Sequence, residues 1–123
     1  MALTPIDDID IVVFERDDPL LRLTITELQS NGSLLAYNFT TTIGLEFLVK
    51  NRASDAVAVA IAKYTLSTGT VIVAPATAGI CTVQCLSTNA TLTPGRRRYQ
   101  LVGIRSGNLR QTLMNGNFIV KDV

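Results

Sequence analysis

Residues 93–123 read TPGRRRYQLVGIRSGNLRQTLMNGNFIVKDV, and this stretch decides the fold class. Pro94-Gly95 is a turn signal, since proline presets φ and glycine tolerates positive φ. Arg97 to Arg105 reads as a strand and Ser106-Gly107-Asn108 as a tight reversal. Leu109 to Leu113 is the returning strand. Asn115-Gly116 is a second turn or bulge signal, and Phe118 to Val120 closes the chain as strand. Together these residues predict a β-hairpin.

Upstream the same grammar repeats. Ile9 to Glu15 is β-branched and aliphatic, and Arg16-Asp17-Asp18-Pro19 is a turn. Leu21, Leu23 and Ile25 alternate with Arg22, Thr24 and Thr26, which predicts a half-buried strand over Leu20 to Glu27. Ser30-Asn31-Gly32 turns the chain, and Leu34 to Phe39 is a short strand or an irregular crossing. Ile43, Leu45, Phe47 and Val49 share one side of a strand over Ile43 to Lys50. Ala56 to Thr65 is alanine-rich, yet Val57, Val59 and Ile61 keep period 2, which favours strand over helix. Thr70 to Ala74 and Ile80 to Leu86 are further strands, separated by a loop over Pro75 to Gly79. Strands at this spacing with no convincing helix predict an all-β protein, an antiparallel β-sandwich.

The length of 123 residues fits one domain, read as a flexible N-terminal arm over residues 1–8 and a single sandwich over residues 9–123. With 11 basic and 10 acidic side chains the formal net charge is +1, so no overall electrostatic footprint points to nucleic acid or an anionic membrane. Acids gather early (Asp7, Asp8, Asp10, Glu15, Asp17, Asp18) and bases late (Arg96, Arg97, Arg98, Arg105, Arg110). Such asymmetry serves copies meeting end to end, or simply solvates turns. No apolar run reaches the ~18 residues of a membrane helix, and Met1 to Pro5 lacks the basic start of a signal peptide. The expectation is a cytoplasmic product that stays soluble or is delivered by assembly. Tyr64 to Gly95 carries no charge at all, unlike the exposed strands of most monomers, which favours surface covered by a partner.

Chemistry is sparse. The chain has no histidine, so Ser or Cys nucleophiles lack their usual base. Glu15, Glu27 and Glu46 read as solvent-facing strand positions rather than a carboxylate pair. Asp7, Asp8 and Asp10 lack the spacing of a Ca²⁺ loop. Cys81 and Cys85 fall on one strand face about 13 Å apart, too far for a disulfide, and read as buried hydrophobes. Neither an enzyme nor a cofactor is expected. Three Asn-x-Ser/Thr triplets begin at Asn31, Asn38 and Asn89 and read as chance in a Thr-rich β protein. The one dense charge is Arg96-Arg97-Arg98. Alternation puts Arg96 and Arg98 opposite Arg97. Its common use is a solvated strand start or pairing with the early aspartates. The functional reading is a protein interface at Arg96, Arg97 and Arg98, ahead of a nucleic-acid contact, which would require more basic surface and more aromatics than Tyr99.

The order Pro-Gly, Tyr-x-Leu strand, Gly-Asn reversal, Thr-Leu and x-Gly-x-Phe-x-Val resembles the immunoglobulin-like domain at the N-terminus of tailed-phage baseplate upper proteins. Gly79-Ile80-Cys81-Thr82-Val83 matches the family's preceding strand, and Leu92-Thr93-Pro94-Gly95 its approach. Tyr99-Gln100-Leu101 matches the core strand, and Thr112-Leu113 with Gly116-Asn117-Phe118-Ile119-Val120 the ending. Asp18 to Ile25, Asn31-Gly32 and Ile43 to Val49 fit the first sheet, so the resemblance spans most of residues 9–121. Arg96-Arg97-Arg98 departs from it, being longer than the usual spacer, and Val123 falls where those proteins continue into receptor-holding regions. The resemblance implies an Ig-like sandwich in a virion, docking on other virion structural proteins in the tail, baseplate or neck and forming a homo-oligomer, with no catalytic residue, no nucleic acid and no membrane. Capsid decoration or head-fibre anchoring is the alternative within that class. A carbohydrate- or cell-surface-binding module is the alternative outside it, and would stack sugars on Tyr37, Tyr64 or Tyr99.

Overall fold

The computed structural model describes residues 9–15, 17–52, 62–85 and 93–122. The proposed arm over residues 1–8 and most of the strand expected over Ala56 to Thr65 lie outside the described residues. Among those described the protein is all-β, with one 3-10 turn at Ala76–Ala78. Strands β1 (Ile11–Phe14), β2 (Leu20–Thr24), β3 (Thr26–Leu28), β4 (Leu34–Ala36) and β5 (Thr42–Lys50) come first. They are followed by β6 (Ala62–Tyr64), β7 (Thr70–Ile72), β8 (Ile80–Gln84), β9 (Gly95–Arg105) and β10 (Leu109–Lys121).

A five-stranded sheet runs in the order β1-β10-β9-β5-β6, and a three-stranded sheet in the order β2-β8-β7. Hairpin β3-β4 stands as a separate ribbon. The inward residues of both larger sheets form one core, including Leu45, Phe47, Val49, Tyr99, Leu101 and Phe118 from one and Leu23, Cys81 and Val83 from the other. Phe47 is its hub. Its ring stacks on Tyr99 at 5.4 Å and meets Phe118 edge-on at 6.0 Å, favoured geometries for ring quadrupoles. Thr70, buried in β7, donates its hydroxyl to the Leu45 carbonyl at 2.8 Å and so ties the two sheets together while satisfying its own polar group.

Several details depart from the sequence reading. The sheets are not wholly antiparallel, because β1 pairs in parallel with β10. The strand expected over Leu20 to Glu27 is split at Ile25, whose N–H donates to the Gly79 carbonyl at 2.7 Å, so that β3 leaves for a different sheet. Leu34 and Leu35 of β4 are exposed, and the irregular crossing after β4 sinks Tyr37 and Phe39 into the core, their rings 4.8 Å apart. Ile43 does not join Leu45 inside. The β5–β9 register jumps between Thr42 and Gly44, so Ile43 is the extra residue of an irregularity and is 58% exposed.

Asn115-Gly116 is not a turn either. β10 runs unbroken through it, and its register shift falls between Thr112 and Met114. Gly116 is there because the start of the chain crosses over it. A Cβ at Gly116 would lie 2.1 Å from the Ile9 carbonyl oxygen, which is backbone and cannot swing aside. Gly79 combines both demands, with φ at +71° and a would-be Cβ 2.5 Å from the Ile25 carbonyl oxygen.

Gly116→Ala therefore forces β1 away from β10 and is expected to cost about 3 kcal/mol, at the upper end for overpacking. Urea denaturation monitored by circular dichroism would show this as a lower midpoint with an unchanged slope. An unaltered midpoint would mean that the crossing is not rigid.

Candidate protein-contact surface

The registers place the three arginines. Arg96 stands opposite Ile119, Arg97 opposite Phe118 and Arg98 opposite Asn117. As expected from alternation, Arg96 and Arg98 share the face away from the core. The structure does not leave them equivalent. Arg97 folds back onto Thr93, donating to its carbonyl and, at 2.9 Å, to its hydroxyl. Arg98 donates to Asn117 Oδ1 at 3.0 Å, and Asn117 Nδ2 donates to Asp10 Oδ1 at 3.1 Å. That relay reaches one member of the early aspartate cluster; Asp7 and Asp8 lie outside the described residues. Arg96 is exposed, and of the three only it has no side-chain partner among the described residues.

The neighbours of Arg96 extend the surface. Ile119 pairs with Val12 of β1, so Val12, Ile119 and Arg96 form one row across three strands. Phe14 follows in the next row, opposite Lys121. Val12 and Phe14 are each 49% exposed on the outermost strand. A short, uncharged, apolar edge is a natural place for a partner to bind. The contiguity of Arg96 with this patch was not legible in the sequence, because it depends on the parallel pairing of β1 with β10.

Farther along this outer face the charged side chains pair within the sheet. Glu46, expected to face solvent, is only 13% exposed at its side chain, paired with Arg110 at 2.7 Å and Lys63 at 3.6 Å. Lys50 is 6% exposed and donates from Nζ to Gln100 Oε1 at 2.9 Å, while Leu48 beside it is fully buried outside the main core. On the three-stranded sheet, the charge-free stretch supplies β7 and β8, and Val71 and Leu20 are exposed on its strands. A separate polar cleft of about 210 Å³ lies among Glu27, Tyr37, Asn38, Thr41, Arg105 and Gln111. Its residues come from distant parts of the chain, and no motif announced it.

Other sequence candidates are accounted for by folding. Cys81 and Cys85 are free and buried, and burial alone pushes their thiols up to about 12 and about 11. Asn31 and Asn38 use their side-chain oxygens to cap turns, accepting from the N–H groups of Ser33 at 3.0 Å and Thr40 at 2.9 Å. A hydroxyl residue two places on adds a second donor to each, so the triplets have a turn-making role there. Asn89 lies outside the described residues. Tyr37, Tyr64 and Tyr99 are all buried, leaving Phe14 as the one exposed aromatic ring of the chain's seven. Among the described residues no three His, Cys, Asp or Glu side chains gather as metal ligands.

Tyr99 Oη donates to the Ile9 carbonyl at 2.6 Å and holds the entry to β1. Burial pushes this phenol up to about 12, against a lowering by Arg98, with Asp10 raising it further. No protein-family model matches the chain, and no curated protein matches it.

Two outcomes follow from these groups. The folded state holds the Tyr99 proton more tightly than the unfolded chain does, so its contribution is full below pH 10 and is lost as pH rises towards about 12. Tyr99→Phe should cost about 1–2 kcal/mol at neutral pH and reduce the fall in stability across that window. Denaturation midpoints of both proteins from pH 8 to 12 would check this, and parallel curves would refute it. The native thiols should stay unreactive to a chromogenic disulfide reagent at pH 8 and react only on unfolding.

Proposed function

We propose that this chain is a structural virion protein of a tailed phage, an Ig-like β-sandwich that docks on other virion proteins through protein–protein contacts. The observation that carries the contact reading is the row of Val12, Ile119 and Arg96 beside Phe14. It brings apolar side chains at the sheet edge together with a guanidinium that has no side-chain partner among the described residues. Interface cores combine apolar and aromatic groups with arginine, which suits this composition.

Two further observations support the fold and the class. The strand order agrees with the Ig variable-type arrangement. On that reading β2, β8 and β7 would correspond to strands B, E and D, and β5, β6, β9 and β10 to C, C′, F and G, with hairpin β3-β4 an addition. The sequence resemblance to phage baseplate modules covers the same strands, and it supplies the virion setting. Tail, baseplate or neck is the preferred location, with capsid decoration or head-fibre anchoring as the alternative. Sugar recognition gains nothing from the tyrosines, since all three are buried.

The test is recovery of a tagged copy in purified particles of the encoding phage, followed by immunogold localisation. Signal on the tail, baseplate or neck supports the preferred place, and signal on the head supports the alternative. Phe14→Asp should reduce incorporation while leaving the circular dichroism spectrum unchanged. Particles without the protein would overturn the proposal.

A further inference from the structure

The half of the outer face built from β1, the C-terminal part of β10 and the N-terminal part of β9 has a particular symmetry. Val12 and Ile119 occupy its middle. Arg96 stands on the β9 flank. Asp10 and Asp17 bracket β1 on the other flank, Asp17 being fixed in a turn by its N–H donating to the Phe14 carbonyl at 3.3 Å. Neither Arg96 nor Asp17 has a side-chain partner among the described residues, and both are exposed.

We infer that this half-face is covered by the same half-face of a second copy, in a two-fold dimer whose axis runs along β10. The inference rests on the reading of the chain as a contact module and names the partner of that surface. A two-fold contact must be self-complementary. Half a turn about an axis lying in the interface along β10 carries β1 of one copy across β9 of the other. Ile119 then meets Ile119, and each Arg96 comes over Val12 of the other copy, on the flank whose two ends carry Asp10 and Asp17. Lys121, exposed on β10, lies nearest the axis and sets a like charge against its own copy, a cost that the pairing of the two flanks must exceed. Edge-to-edge pairing of the two β1 strands is the competing arrangement. It would set Asp10 of one copy against Glu15 of the other, a like-charge contact of the kind that discourages edge pairing.

Sedimentation equilibrium over a wide concentration range tests this. The wild-type chain should dimerise with rising concentration, and R96E or D17R alone should each weaken association about tenfold or more. Mixing the two variants should restore association, because each new charge then faces its opposite on the other chain. Three results would each overturn the dimer: a wild type monomeric throughout, a dimer indifferent to both substitutions, or a mixture that does not associate. A monomer that still enters particles through Phe14 would sink the dimer and leave the contact-module reading standing. A dimer absent from particles would do the reverse.

Discussion

The Ile9 carbonyl accepts a hydrogen bond from the Tyr99 hydroxyl at 2.6 Å and passes so close to Gly116 that no side chain fits there. This clamp joins the start of the chain to two strands at its end. β1 has only four residues and could not hold its place by ladder bonds alone. Its inward residues Ile11 and Val13 add apolar burial, and its outward residues Val12 and Phe14 are thereby displayed. The contact surface is therefore a consequence of how the first strand is pinned.

The same sheet shows two ways of treating an outer face. Around β5 the charges satisfy one another, and Glu46 bridges Arg110 and Lys63 while Lys50 turns to Gln100. Around β1, Asp10 is held by Asn117, while Arg96 and Asp17 flank an apolar row with no side-chain partner among the described residues. Partly buried ion pairs tie neighbouring strands together, whereas open apolar rows leave free energy to be gained by burial against another surface. The division agrees with a module whose one half is finished by folding and whose other half is finished by assembly.

Much of this was legible in the sequence because local rules governed it. Period-2 alternation placed Leu45, Phe47 and Val49 on one side of β5, and Ser106-Gly107-Asn108 marked the β9–β10 reversal. The cysteines were readable as inert for the same reason, four positions apart on one face. The misreadings share a cause. Ile43 kept the apolar period but fell at a register jump, and Gly116 carried a turn signal while serving a close approach. Ile25 continued the alternation of β2 but spent its backbone N–H on Gly79. In each case a neighbour distant in sequence outweighed the local preference.

By itself the sequence determined the strand content, the single core face of each long strand and the alternation that separates Arg96 and Arg98 from Arg97. Side-chain period and turn chemistry act over a few residues, so they can be read locally. Only the tertiary structure decided which strands became neighbours, that the first would lie parallel to the last, and that Arg97 and Arg98 would be engaged while Arg96, beside Val12 and Ile119, has no side-chain partner among the described residues. Those outcomes depend on hydrogen-bond registers and close approaches between residues about a hundred positions apart, and no local pattern encodes them.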